Sequence, residues 1–140
     1  MNETFTLDLG SDYLVAGFDI FNTHNGANPV ANDRGTLAFT IWLSSNPQVP
    51  DTSSSSFGTP VLVNTPLAFY PGEYPNTLQP FSIAPTLGRY VTFRATDVSG
   101  LRSAGLSEIQ VLDTTSTPEP ATFLLAGIVL AALAAARRRG

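Results

Sequence analysis

Cysteine and lysine are both missing from this chain of 140 residues. Without cysteine, the chain has no disulfide bonds, no thiolate metal site and no cysteine nucleophile. Charge of either sign is scarce: charged residues make up 13% of the chain, against about 25% in typical soluble domains. These absences exclude several classes of enzyme and metal protein, and they leave few residues for ionic contacts.

The few charges are unevenly distributed. All 11 acidic residues precede Ala121, whereas three of the seven arginines stand together at 137–139. The remaining body is therefore acidic, and an acidic surface repels the phosphate backbone, so no nucleic-acid partner is expected. At 43% hydrophobic and 10% aromatic residues, the composition still supports a packed core.

The C-terminal residues form a three-part pattern. Pro118-Glu119-Pro120 is followed by an uncharged apolar run at 121–136 and then by Arg137-Arg138-Arg139. The apolar run is rich in Ala and Leu, which predicts one helix about 24 Å long, short for a bilayer core of about 30 Å. Arginine stems extend toward the headgroups, and the positive-inside rule keeps these arginines in the cytoplasm. The body is then expected on the other side of the membrane.

These parts, in this order, resemble the PEP-CTERM sorting domain over residues 117–139. The resemblance implies recognition by an exosortase, removal of the helix after transient anchoring in the inner membrane, and delivery to the surface or extracellular matrix of a Gram-negative bacterium. Many members of that family accompany exopolysaccharide production. The two prolines disfavour helix just before the apolar run, which leaves the motif extended for a processing enzyme. An ordinary tail anchor is the alternative.

The body, residues 1–113, has the patterns of strands, and residues 114–117 read as a polar linker before the tail at 118–139. Apolar and polar residues alternate at 4–9, 36–44 and 89–96, which is the period of a half-buried strand. Many short strands separated by turns predict an all-β, antiparallel β-sandwich. The predicted strands are 4–9, 13–21, 36–44, 67–70, 78–83, 89–96 and 105–112, with a turn at 10–12 and loops at 22–35 and 45–61.

The body also resembles the discoidin family, which implies a galactose-binding-like jelly roll. The resemblance is carried by residues 6–10, 20–23, 34–36, 43–44, 88–91 and 105–109. Members of that family have a further stretch before the strand that corresponds to residues 6–10. Residues 1–5 also lack the features of an export signal. The expectation is therefore a fragment that lacks its first strand and its signal peptide.

Discoidin-like modules bind ligands at loops on one end of the sandwich, which makes the 22–35 loop the ligand-binding candidate. Sugar recognition needs amides and carboxylates together with an aromatic face. Tyr70, Tyr74 or Phe57 is the candidate for that face. The alternative is a solvated loop held by its own turns, with Arg34 paired to Asp33 or Asp19. The predicted ligand-binding residues are Asn22, His24, Asn25, Asp33 and Arg34, with Asn28 in the same loop.

In calcium-containing discoidin relatives a glutamate at the place of Glu108 is a ligand, so the resemblance implies a calcium site there. The alternative is a rim carboxylate paired with Arg89 or Arg102. No catalytic residue is predicted, because His24 is the only histidine and no nucleophile elbow is present. Trp42 is expected in the core or on the sheet surface.

The sequence therefore predicts a non-enzymatic, exported and exosortase-processed surface or matrix protein that binds carbohydrate. A structural spacer with no ligand is the first alternative, and a small hydrolase is the second.

Overall fold

A computed structural model describes residues 3–23, 34–48, 57–69, 77–99 and 104–115. Within these ranges the chain is all-β, without a helix, and its single antiparallel sheet has the strand order β3-β2-β4-β1-β5. The predicted all-β, antiparallel class is confirmed. The jelly-roll type stays a prediction, and the helix predicted at 121–136 lies outside the described residues. The strands are β1 (Thr4–Asn22), β2 (Thr36–Ser44), β3 (Thr59–Pro66), β4 (Leu78–Val98) and β5 (Leu106–Asp113).

The two longest strands, β1 and β4, pair with each other and fold back together. Their register shifts between the pairs Asp8–Tyr90 and Tyr13–Gly88. Phe39 of β2 lies opposite Ala95, yet its ring centroid is also 5.2 Å from that of Phe81 in the same β4 strand. A straight strand would place Phe81 and Ala95 roughly 45 Å apart at about 3.3 Å per residue. The β1–β4 ribbon therefore doubles back at the register shift.

This fold-back produces two layers that face each other across one core. One layer holds β5, the second half of β1 and the first half of β4. The other holds the first half of β1, the second half of β4, β2 and β3. Burying each large apolar side chain contributes about 1.5–3 kcal/mol, so this shared core is the main stabilising feature. The core residues are Val15, Phe18, Ile20, Phe39, Ile41, Leu43, Leu67, Val91, Phe93 and Ala95.

Most predicted strands match observed ones, and the exceptions lie around β3. The strand predicted at 36–44 matches β2, and the one at 105–112 matches β5 within one residue. The predicted turn at 10–12 is the bend within β1, and the strands predicted at 78–83 and 89–96 are the two halves of β4. The prediction for 67–70 is wrong over 67–69, which belong to no strand, and β3 was missed.

Trp42 lies where the sequence predicts, buried on the sheet with 7% of its surface exposed. Its ring contacts Phe57 edge to face at 5.4 Å, and the Arg94 guanidinium lies over both rings. These three side chains form a second, smaller cluster on the face of the β2–β4 layer that points away from the core.

Candidate functional site

Three connections leave the sandwich at the same end, which we call the loop end. They are residues 23–35, 67–77 and 99–105, which join β1 to β2, β3 to β4 and β4 to β5. The opposite end carries the bends of β1 and β4 and the connection from β2 to β3, and we call it the bend end. The loop predicted to bind a ligand therefore shares the loop end with two other connections.

Asn22 ties two of these connections together. Its Nδ2 donates to the carbonyl oxygens of Thr36 at 2.7 Å and Ala68 at 3.0 Å. Its Oδ1 accepts from the backbone N–H groups of Thr23 at 2.9 Å and Thr36 at 3.1 Å. An asparagine amide has two donor hydrogens and two acceptor lone pairs, so these four bonds use its whole capacity. With 4% of its surface exposed, Asn22 fixes the base of the loop.

Further hydrogen bonds fix the remaining connections. The side chain of Gln79 both donates to and accepts from the Ala68 backbone, at 2.9 and 2.7 Å. Gly35 N–H donates to Ser99 Oγ at 3.0 Å, and Ser99 N–H donates to the Gly35 carbonyl at 2.8 Å. Thr36 Oγ1 donates to the carbonyl of Gly105 at 3.0 Å. All three connections at the loop end thus start from fixed backbone positions.

A close approach of backbones at this end requires glycine. Gly35 and Gly105 form an isolated parallel bridge between the residues that precede β2 and β5. A Cβ atom at Gly105 would lie 2.6 Å from Cγ2 of Thr23. A larger residue would therefore push the 23–35 and 99–105 connections apart.

The other predicted ligand-binding residues have different outcomes. Arg34 is exposed at the start of the segment that leads into β2. His24, Asn25 and Asp33 lie outside the described residues, as do Asn28, Tyr70 and Tyr74. Their role in binding stays a prediction, and so does a ligand contact of Asn22 beyond its four observed bonds.

The structure contradicts the role predicted for Phe57. The prediction makes Phe57 a stacking face that another loop supplies to the ligand, but Phe57 precedes β3 at the bend end and only 2% of it is exposed. Its ring packs against Trp42 and under the guanidinium of Arg94. A buried ring has no face to offer a sugar, so Phe57 is excluded as the stacking residue.

Glu108 lies on β5, with its side chain exposed. Its Oε1 accepts a hydrogen bond from Gln110 Nε2 at 2.6 Å. The alternative pairing with Arg89 is wrong, because Arg89 pairs with Asp8, and Arg102 lies outside the described residues. Within the described ranges no three His, Asp or Glu side chains come together as a metal cluster. Calcium binding at Glu108 stays a prediction.

The bend end carries an exposed ion pair, in contrast to the backbone hydrogen bonds of the loop end. Arg89 donates from Nε and Nη2 to the two carboxylate oxygens of Asp8, at 2.6 and 2.8 Å. The hydrogen bonds from Arg89, and then from the Gly10 N–H, lower the pKa of Asp8 from 3.8 to about 2. The same pair raises the pKa of Arg89 above its usual range. Both side chains are exposed, so this pair is a surface feature.

The chain also leaves the sandwich at the bend end. Asp113, at the end of β5, pairs with Val15, and Thr114 N–H donates to the Leu14 carbonyl at 3.0 Å. Thr115 then donates from its backbone N–H and its hydroxyl to Asp113 Oδ1, at 3.1 and 2.9 Å. Whatever follows Thr115 therefore begins at the end opposite the 23–35 loop.

No helix within the described ranges is long and apolar enough to cross a membrane. Comparison with curated proteins and with solved structures finds no match for this chain. Among protein families, residues 116–139 match the PEP-CTERM protein-sorting motif, which confirms the resemblance of the tail. This motif implies an exported protein that is held transiently in the membrane and processed by exosortase, so the body bears its sorting signal on the segment that leaves from the bend end.

Proposed function

We propose that this protein is a surface or extracellular-matrix component whose β-sandwich binds carbohydrate through the connections of the loop end. One observation carries the proposal: the sorting motif follows Thr115 at the bend end, and the strands that the predicted ligand-binding loop connects meet at the opposite end. The strand β5 runs from one end to the other, and its eight residues span about 26 Å. Such a molecule presents its loops away from the membrane that holds its tail.

The residue types of the 23–35 loop suit a sugar. Amides and carboxylates accept and donate hydrogen bonds to hydroxyl groups, and the loop contains Asn25, Asn28 and Asp33. Tyr70 and Tyr74, in the connection between β3 and β4, are the remaining candidates for a stacking face. Binding loops on a rigid base lose less conformational entropy when they order around a ligand. The hydrogen bonds of Asn22 and Gln79 supply such a base.

A glycan array with the full chain tests carbohydrate binding. The double variant Asn25→Ala, Asp33→Ala is expected to lose binding to any sugar that the native protein binds on the array. The matched control is Asp12→Ala, Asn46→Ala, which removes the same two residue types from exposed positions at the bend end. An array without binding, both with and without calcium, contradicts the proposal. Equal loss in both double variants contradicts the assignment to the loop end.

A calcium role for Glu108 is part of the proposal and has its own test. Titration with calcium is expected to give weaker binding for Glu108→Gln than for the native chain, because the amide loses the charge that attracts the cation. Equal calcium binding by the two proteins would remove Glu108 from the site.

A spacer without a ligand is the second candidate, and the bonds of Asn22 favour it. The amide of Asn22, the first residue of the predicted site, is used entirely by the protein's own backbone. A spacer predicts that the loop-end double variant is sorted and assembled like the native protein and that no glycan binds. A hydrolase instead predicts an activity that His24→Ala abolishes, whereas we propose that the protein is not an enzyme.

Sorting has a separate test that does not depend on the ligand. Glu119→Ala is expected to leave the precursor uncleaved in the membrane, because it removes the one charge of the Pro-Glu-Pro tripeptide. Glu108→Ala, which removes a carboxylate from the body, is the control and should be processed normally. Normal processing of the Glu119 variant would contradict the role given to the motif.

A further inference from the structure

A groove runs along one side of the sandwich, between residues 3–9 of β1 and residues 104–113 around β5. We call it the edge groove. At one end, Ala104 N–H donates to Glu3 Oε2 at 2.7 Å, and at the other end Leu9 and Val111 line the same cavity. The two walls thus run in the same direction for about 20 Å. The groove contains cavities of about 430 and 240 Å³.

The β1 wall of the edge groove directs backbone hydrogen-bonding groups into it. Ala95 N–H donates to the Glu3 carbonyl at 3.1 Å, so Glu3 and the alternate residues after it bond to β4. The backbone groups of Thr6 and Asp8 consequently point away from β4. Among the described strands, residues 4–8 pair with β4 alone, while β5 pairs with β1 from Val15 onward. An added strand can therefore extend the ladder along this edge.

The two sides of the sandwich differ in how their edges are protected. On the side away from the edge groove, β3 contains Pro60 and Pro66, and the first half of β4 contains Pro80 and Pro85. Proline cannot donate to a ladder, and it is one of the residues that block pairing at a sheet edge. Neither β1 nor β5, which form the groove, contains a proline. The edge groove therefore lies on the side of the sandwich where no proline blocks the pairing of an added strand.

The lining fits an extended segment with apolar side chains at alternate positions. Phe5, Leu7 and Leu9 on one wall and Ile109 and Val111 on the other are partly buried and pack against the core. The charged residues that line the two cavities are Glu3, Glu108 and Asp113, all of them acidic. These acidic side chains favour a basic ligand over a second copy of this acidic body.

From these observations we propose that the edge groove binds an extended polypeptide segment of a partner protein, with apolar residues at alternate positions and lysine or arginine at its ends, as an added β-strand. Backbone bonds to the β1 edge would supply affinity, and the alternate apolar residues would enter the cavities. This site lies along the side of the sandwich and is independent of the loops at the loop end.

The test is peptide binding by the full chain in detergent micelles. The probe is a labelled peptide of about ten residues that alternates valine and threonine between paired lysines, a length that spans a strand of usual size. Thr6→Pro removes the N–H that points into the groove, and Thr6→Val is its matched control, because both lose the Thr6–Thr92 hydroxyl contact of 2.8 Å. We expect Thr6→Val to bind like the native chain and Thr6→Pro to bind about tenfold more weakly. Equal binding by the two variants overturns the proposal.

A second experiment uses the native protein, so it tests the proposal even if Thr6→Pro folds poorly. The same peptide with N-methyl groups on alternate residues, which cannot extend the ladder, is expected to bind about tenfold more weakly. Undiminished binding by the methylated peptide overturns strand addition. Sedimentation gives a further check. A dimer that the peptide does not dissociate would also overturn the proposal, because a second copy of the chain would then occupy the groove.

The charge of the partner is tested with a peptide that has glutamates in place of the lysines. It is expected to bind about fivefold more weakly at low salt, with a smaller difference at about 0.5 M salt because exposed charges are then screened. Equal binding by the two peptides at low salt contradicts the basic segment.

Discussion

The two ends of the sandwich are stabilised in different ways. At the loop end, buried side chains bond directly to backbone groups. Asn22 of β1 alone bonds to Thr36 of β2 and to Ala68, which follows β3. At the bend end, the chain reverses at Gly10 and is supported by the exposed pair of Asp8 and Arg89. The loop end fixes the starting points of three connections. The bend end carries one connection, from β2 to β3, besides the bends of the ribbon and the start of the tail.

This comparison predicts that the largest loss of stability comes from the loop end. Asn22→Ala removes four hydrogen bonds to the backbone in a nearly buried position, and of the four groups the Ala68 carbonyl keeps its bond from Gln79. We therefore expect the free energy of unfolding to fall by about 3 kcal/mol. Urea denaturation measures it. Asn46→Ala, at an exposed position of the bend end, is the control and is expected to change it by less than about 0.5 kcal/mol. Similar losses in both variants would contradict the difference between the ends.

Glycine positions at the bend end give the next effect. Gly58 has a φ of 117°, and a Cβ there would collide with the carbonyl oxygen of Leu43. Gly58→Ala is therefore expected to lose about 2–3 kcal/mol of unfolding free energy, because steric clash adds to backbone strain. Thermal denaturation at constant pH measures this loss.

Substitution of Gly10 tests backbone strain without steric clash. Its φ is 86°, but a Cβ at this position would have open space around it. Gly10→Ala is expected to lose only about 1 kcal/mol, from backbone strain alone. A loss at Gly10 as large as that at Gly58 would show that the bend tolerates less than its open surroundings indicate.

The smallest effect is the pH dependence of the Asp8–Arg89 pair. The pKa of Asp8 is lowered from 3.8 to about 2 in the folded chain. Folding therefore gains stability from this carboxylate above about pH 4, and that gain is lost as the pH falls toward 2. Asp8→Asn should unfold with a shallower pH dependence between those values, and added salt should reduce the difference because the pair is exposed. Identical acid unfolding curves would contradict a contribution from the pair.

Much of the fold could be predicted because the apolar pattern of the sequence has a clear period. Leu37 to Leu43 alternates along β2, with Phe39, Ile41 and Leu43 in the core and Trp42 on the opposite face. Gly10-Ser11-Asp12 was predicted as a turn, and the bend of β1 lies at that position. Pairing with β4 continues on both sides of the bend, so the predicted turn joins two halves of one strand. Local sequence does not reveal that continuity.

The missed strand shows where pattern reading fails. The β3 segment begins beside Pro60 and ends at Pro66, and Asn64 within it has a positive φ of 44°. These are the features of a turn, and the segment is mostly exposed. It becomes a strand because β2 offers an edge to pair with, and Thr40 Oγ1 accepts a hydrogen bond from Asn64 N–H at 3.0 Å. Tertiary pairing overrides local preference here.

The candidate site could be predicted in part. The sequence indicates which loop is rich in amides, and the structure brings the described ends of that loop to the same end of the sandwich as the ends of two other connections. Asn22 was grouped with the ligand-binding residues because side-chain type alone does not tell a ligand contact from a backbone contact. Phe57 was misplaced because distance along the chain does not reveal which end of a sandwich a loop occupies.

The central claim is that the body lies outside the cytoplasm with its loop end away from the membrane. The absence of native cysteine allows single-cysteine labelling, with Ser11→Cys at the bend end and Leu78→Cys at the loop end, in the Glu119→Ala background that retains the tail. Energy transfer from each label to a headgroup dye is measured in intact spheroplasts after reaction with a membrane-impermeant dye. Both sites are expected to react, with stronger transfer from Ser11. Labelling only after lysis, or stronger transfer from Leu78, would contradict the account.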